Sequence, residues 1–299
     1  MNKIITRIVG GLGNQLFCYA VARRMALINN AELVIDHVSG FARDYQYHRR
    51  YMLDRFYIPA RKATLLERME PLERYRRGVM KYLSRKKPFI KRRYVEQEGP
   101  DFDERVLALK IKGTLYLDGC WQSEDYFKDT EQVIRDELRI IPPTDALNLR
   151  VSEEICKSSS VALHVRWFDS PEDAKGKNIL ADYYRRAVSL MEEKVNSPHY
   201  FLFSDNPEAA RANFSLSDER ITCVTHNRGE ENAHADLWLM SQCKNFIIAN
   251  STFSWWGAWL CAGKEKIVMT PDIKIDGKWA WGFKGLIPAE WLKISVLVK

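Results

Sequence analysis

Apolar and polar positions follow two alternating periods through the second half of the chain. Residues 160–167 form a β-rich apolar run. Residues 180–195 then carry Tyr183, Tyr184, Ala187, Val188 and Met191 at helical spacing. The same logic predicts strands at 199–203, 221–225, 245–249 and 266–270, with Pro271 ending the last. Helices are predicted at 207–212, 232–243 and 253–262. Strands that alternate with helices imply a parallel sheet covered on both faces. The first half starts likewise, with a strand at 3–9, a helix at 13–29 and a strand at 32–36. Between 38 and 113 the pattern weakens into basic, helical segments. It recovers in a strand at 114–117 and a helix near 124–138. Pro142 and Pro143 mark a boundary, so two α/β domains are expected, residues 1–150 and 151–299. Ligands of such sheets bind at the carboxyl ends of the strands, here in a cleft between the domains.

The chain has 299 residues, 46% hydrophobic and 12% aromatic, which is enough for packed cores and argues against long disordered stretches. Its net charge of +7 is local. Ten Lys or Arg and no acid fall between Arg74 and Arg93, and without them the chain is net acidic. The bland account of this segment is a solvated helical face. The sharper one uses Tyr75, Val79, Tyr82, Leu83, Phe89 and Ile90 to seat it on anionic lipid or an acidic glycan. No nucleic-acid motif accompanies the charge, so no nucleic-acid partner is expected. The six cysteines form no C-x-x-C pair and sit mostly in apolar surroundings, as free thiols of a reducing compartment do. Met1 to Val9 lacks a signal-peptide pattern. The uncharged stretch 246–263 reads as a buried strand and helix, because Asn250, Ser251, Thr252 and Ser254 interrupt it. A cytoplasmic protein is expected, with peripheral contact at the inner face of a membrane.

Four segments can carry chemistry. Gly10-Gly11-Leu12-Gly13-Asn14-Gln15 follows a strand and opens a helix, where backbone N–H groups can approach a phosphate. Leu16 excludes the dinucleotide fingerprint, and a tight structural turn explains the glycines equally well. His164-Val165-Arg166-Trp167-Phe168-Asp169 places His and Arg at the end of an apolar strand. Arg166 can fork onto a diphosphate, or pair structurally with Asp169. Ser204 and Asp205 can bind a sugar hydroxyl or cap the following helix, and the cap is favoured. From Asp236 to Leu260 run a helix, a strand and a polar turn. Asp236 can accept from the N1–H and amino group of guanine, while Asn250, Ser251, Thr252 and Ser254 converge at a helix start, an anion site or simply an N-cap. Asp101 and Asp103 resemble a metal-binding pair of some sugar transferases but precede a helix. A cap is preferred, and no metal or cofactor is expected.

Together these segments resemble the bacterial α-1,2-fucosyltransferases of glycosyltransferase family 11. The likeness rests on Gly10 to Phe17, on His164 to Asp169, on Gly119 to Phe127, and on the ungapped Asn250-Ser-Thr-Phe-Ser-Trp-Trp-Gly-Ala-Trp-Leu260. It implies a GT-B-type fold of two Rossmann-like domains facing a central cleft, with the acceptor mainly in the first and GDP-fucose in the second. It implies metal-independent, inverting transfer of L-fucose to the 2-OH of a terminal galactose on a surface glycan of the O-antigen type. Carried over, Arg166 contacts the diphosphate with His164 beside it, and Asp236 reads guanine. Ser251, Thr252, Ser254 and Trp255 lie near ribose and phosphates, and the Gly10–Gln15 turn faces the donor. Asp169 is the candidate base, with Glu172 and Asp173 behind it. On the acceptor side stand Trp121, Gln122, Glu124, Trp167 and Phe168. The family's second Arg is Trp167 here, its Gly is Phe168 and its Tyr is Ser170, which puts two aromatics at the acceptor mouth. Transfer from another GDP-sugar, or binding of GDP or glycan with weak turnover, are the alternatives.

Overall fold

The computed structural model describes residues 1–166, 179, 181–212, 214–277 and 280–296. The chain forms two compact units, Met1–Ile140 with Lys284–Leu286, and Ile141–Phe283 with Ile287–Lys299. The division falls beside Pro142 and Pro143 rather than at 150. The helix at Ala146–Lys157, capped by Asp145, packs within the second unit.

In the first unit five parallel strands are ordered β3-β2-β1-β5-β4. They are β1 (Lys3–Arg7), β2 (Glu32–Asp36), β3 (Arg61–Lys62), β4 (Tyr94–Glu96) and β5 (Thr114–Asp118). Helix α1 (Leu12–Ile28) is apolar nearly all round, as a helix buried in a core must be. Helices α2 (Glu73–Arg85) and α3 (Glu131–Glu137) complete the unit. Strand order reverses between β1 and β5.

The second unit holds six parallel strands in the order β11-β10-β9-β6-β7-β8. These are β6 (Ser159–Val165), β7 (Pro198–Ser204), β8 (Ile221–Val224), β9 (Asn245–Ile247), β10 (Val268–Asp272) and β11 (Leu292–Ser295). Its helices are α4 (Ala146–Lys157), α5 (Ala181–Lys194), α6 (Pro207–Arg211), α7 (Ala233–Gln242) and α8 (Thr252–Leu260). Order reverses between β6 and β9, the kind of crevice where open α/β sheets bind ligands. Strand β10 continues through Pro271, contrary to the sequence expectation. Beyond Met269 it pairs only with β11, where a missing N–H is tolerated. On β6, Val161, Leu163 and Val165 pack with Tyr183, Tyr184 and Ala187 of α5. Period-two alternation turns His164 to the other face, towards α8.

Candidate functional site

Strands β6 and β7 run in register up to Val165 opposite Ser204, so the next residues, Arg166 and Asp205, emerge side by side. Their side chains meet at 2.6 Å (Nη1 to Oδ2), with Arg166 37% exposed. Asp205 therefore orients the guanidinium and does not cap α6. That cap is Asn206, whose Oδ1 accepts from Ala209 N at 3.1 Å, while Ser204 Oγ accepts from Asn206 N. A guanidinium carries five donors in a planar fork, so a carboxylate and a phosphate can share it.

His164 is buried, with its ring 5.7 Å from that of Phe253. Burial and the neighbouring Arg166 charge push its pKa down to about 3. The uncharged imidazole that this favours adds no second positive charge beside Arg166. Its Nδ1 has no hydrogen-bond partner among the described residues.

Across the switch point, β9 ends and the chain turns through Asn250 into α8. Ser251 caps that helix, its Oγ accepting from Phe253 N at 3.3 Å. Asn250, Ser251 and Thr252 are half-buried at this turn. Two expected ligand residues are core residues. Ser254 is fully buried and donates to Ser251 O at 3.2 Å. Trp255 is sealed among Trp256, Trp259 and Trp291, with ring centroids at 5.0, 6.2 and 5.5 Å. Aromatic packing of this kind fixes the helix start rather than touching a ligand.

Asp236 lies in the first turn of α7, half-buried, and accepts from Asn227 Nδ2 at 2.8 Å. Asn227 and Asn148 exchange amide hydrogen bonds at 2.9 Å in both directions, and Asp145 holds Asn148 through its backbone N at 3.0 Å and Nδ2 at 2.8 Å. Desolvation raises the Asp236 carboxyl to about 7, against the lowering effect of Asn227. A chain of three side chains, Asn227, Asn148 and Asp145, thus holds the Asp236 carboxyl beyond the carboxyl end of β8.

In the first unit the glycine turn follows β1. Gly10 sits at φ +74, and a Cβ there would lie 2.7 Å from Asn14 Nδ2. Gly10→Ala is expected to lower stability by about 1–2 kcal/mol, read as a fall in the thermal midpoint. An unchanged midpoint would show that the turn is not strained by a side chain. Gln15 does not face a ligand. It is fully buried, donates to Gly10 O and Arg50 O at 2.9 Å each, and accepts from Met52 N at 2.9 Å. Gln122 Nε2 donates to Asn14 Oδ1 at 2.8 Å, closing the switch point between β1 and β5. Trp121 is buried edge-on against Tyr126, and Glu124 is buried and paired with Lys128 at 3.1 Å. Neither presents a surface for a sugar. Asp103 caps the turn at Glu104–Val106, and Asp101 accepts from Lys284 N. Trp167, Phe168, Asp169, Ser170, Glu172 and Asp173 lie outside the described residues.

A family model described as glycosyl transferase family 11 matches residues 3–281. The chain belongs to glycosyl transferase family 11. It is 29% identical to an α-1,2-colitosyltransferase of Escherichia coli over 99% of this chain and 100% of that one. It is 30% identical to the O-antigen biosynthesis glycosyltransferase WbnK of Escherichia coli, covering 88% and 91%. Among solved structures it is similar to the fucosyltransferase NodZ from Bradyrhizobium, with TM-score 0.53 at 16% identity over 86% and 91%. This family 11 glycosyltransferase therefore has a GT-B-type fold built on two parallel α/β sheets.

Sequence reasoning missed Asn227, Asn148 and Asp145. Asn227 lies nine residues from Asp236 and 79 from Asn148, and no local pattern joins them. Among the described residues no group of three or more His, Cys, Asp or Glu is placed to hold a metal ion. No described helix is long and apolar enough to cross a membrane.

Proposed function

We propose that this family 11 glycosyltransferase transfers L-fucose from GDP-β-L-fucose, with inversion and without a metal, to the 2-OH of a terminal galactose. The observation that carries the reading is the pairing of Arg166 with Asp205 at one wall of the second unit's switch point, opposite the Asn250–Thr252 turn. Arg166 and the N-terminus of α8 receive the charge that develops on the departing GDP. The bond from fucose C1 to the phosphate oxygen breaks as the galactose O2 bonds to C1. The hydroxyl proton passes to Asp169 or to the leaving phosphate. His164 holds position behind Arg166, and Asp236 accepts from guanine N1–H and the amino group. Asn250, Ser251 and Thr252 bind the sugar-diphosphate end, and the Gly10, Gly11, Gly13 and Asn14 turn of the first unit is a further candidate for donor contact. Trp167, Phe168 and Gln122 take the acceptor.

The test is incubation with GDP-fucose and galactose-terminated acceptors, with and without EDTA, scored for GDP release and product linkage. Acceptor-dependent release, an α-1,2 product and no effect of EDTA are expected. A second reading, transfer of colitose, draws on the 29% identity to a colitosyltransferase along the whole chain. Turnover of GDP-colitose but not GDP-fucose would replace the first reading by the second. GDP binding without turnover of either would leave a non-catalytic homologue.

A further inference from the structure

Helix α2 is mounted inside out. Its inward face is ionic. Arg77 lies 3.6 Å from Asp36 and donates to Ser39 Oγ at 2.7 Å. Lys81 bridges Asp118 at 2.9 Å and Glu96 at 2.6 Å, and Arg85 reaches Glu96 at 2.6 Å. Asp36, Asp118 and Glu96 are the last residues of β2, β5 and β4, so ion pairs fasten the helix along the carboxyl edge of the first sheet. Ser84 is the single buried residue of α2, and its Oγ accepts from Tyr94 N at 3.1 Å.

The outward face is apolar. Leu72 is 67% exposed, Tyr75 72%, Val79 39%, Tyr82 60% and Leu83 52%. Spacings of three and four residues set them in one stripe. Leu72, Tyr75, Val79 and Tyr82 line a shallow concavity over Gly78, beside which a Cβ would meet nothing within 4 Å. Leu72 holds φ +69, a region leucine rarely occupies. An ordinary surface helix does the opposite and turns its apolar side to the core.

The charge around the stripe identifies what covers it. Arg74, Arg76, Lys86, Lys87, Lys91 and Arg93 carry no ion pair among the described residues, and Lys86 lies over the Tyr82 ring at 4.3 Å. Nearby acids are committed elsewhere: Glu67 to Lys3 and Arg61, Glu70 to Arg68, Glu98 to Arg92 and Arg105. Glu73 is the one acid on α2. A second copy of this surface would bring like charges together around the stripe. Nucleic acid would use the charge and leave the stripe in water. A bilayer bearing anionic headgroups satisfies both.

We propose that α2 is an interfacial helix that seats the first unit on an anionic lipid surface. Leu72, Tyr75, Val79, Tyr82 and Leu83 enter the boundary between headgroups and acyl chains, and the flanking Lys and Arg meet lipid phosphates. The test is flotation of the full chain with phosphatidylcholine vesicles, alone or mixed with phosphatidylglycerol. Binding at least about tenfold stronger to the anionic vesicles, weakened by salt, is expected. The double variant Tyr75→Ser, Tyr82→Ser should lose about tenfold or more even at low salt, with its unfolding midpoint unchanged because both rings face solvent. Equal binding to both vesicles, no binding to either, or a variant that floats like the parent would overturn the proposal. So would a dimer that only the double variant abolishes, or salt-sensitive RNA binding that the variant leaves intact without any vesicle binding.

Discussion

Replacing Arg166 by alanine is expected to lower kcat by about 10²–10³-fold, the cost of removing one preorganised donor from a site where charge develops. The unfolding midpoint should barely move, because the Arg166–Asp205 pair is partly exposed and such pairs contribute little to stability. Asp205→Asn is expected to give a smaller loss, since the guanidinium keeps its charge and loses only its orientation. Arg166→Lys should recover part of the rate by restoring a point charge without the planar fork. Single-turnover kinetics separates these effects from product release. Near-normal kcat in Arg166→Ala would remove it from the chemistry and leave the pair a structural one.

Asp236→Ala is expected to abolish the preference for GDP over ADP. A hydrogen bond to a charged group contributes about 1.5–3 kcal/mol, so losing two lowers the preference by about 10²-fold or more. The raised carboxyl adds a pH signature. At neutral pH Asp236 is close to half protonated, with its pKa near 7, whereas guanine needs the ionised form as acceptor. GDP binding should therefore release protons near pH 7 and weaken as pH falls below it. Calorimetry in buffers of different ionisation enthalpy measures that release, and Asp236→Ala should eliminate it. For stability the sign is the opposite. A carboxyl whose folded pKa lies above the ordinary value of about 3.9 stabilises the fold fully below that value, and the contribution is lost as pH rises through about 7. Retained guanine selectivity in Asp236→Ala would take Asp236 out of base recognition.

The second unit was legible because its strands are nearly continuous apolar runs, such as Val161 to Val165, separated by helices of clear period. The first unit was less so. Strand β3 has two exposed residues, Arg61 and Lys62, and β4 spans only three. Helix α2 was legible as a basic helical face, but not its packing, since its apolar positions mark the side that faces away from the core and ion pairs hold the other. Edge strand β11 is mostly exposed and gave no signal. At the site, the run from Asn250 to Leu260 was easy to recognise but hard to divide. Ser254 and Trp255 look like ligand residues in a polar-aromatic motif, yet both are sealed in the helix interior. Gln15 misled in the same way, because a buried amide that fastens a loop has the same composition as one that binds a phosphate oxygen.

The short return of Lys284–Leu286 to the first unit bears on how the chain can be cut. Lys284 O accepts from Phe102 N at 2.9 Å, and Lys284 N donates to Asp101 Oδ1 at 2.9 Å. Gly285, at φ +88, fits against Phe102 and Ser123 where a Cβ would meet Phe102 Cβ at 2.7 Å. A fragment ending at Ile140 therefore leaves a backbone amide and a carboxylate unmatched, and uncovers the side of Phe102. Three residues made late in synthesis complete a body built from residues 1–140, so a cut at Ile140 does not free the first unit as a self-sufficient module for swapping between relatives.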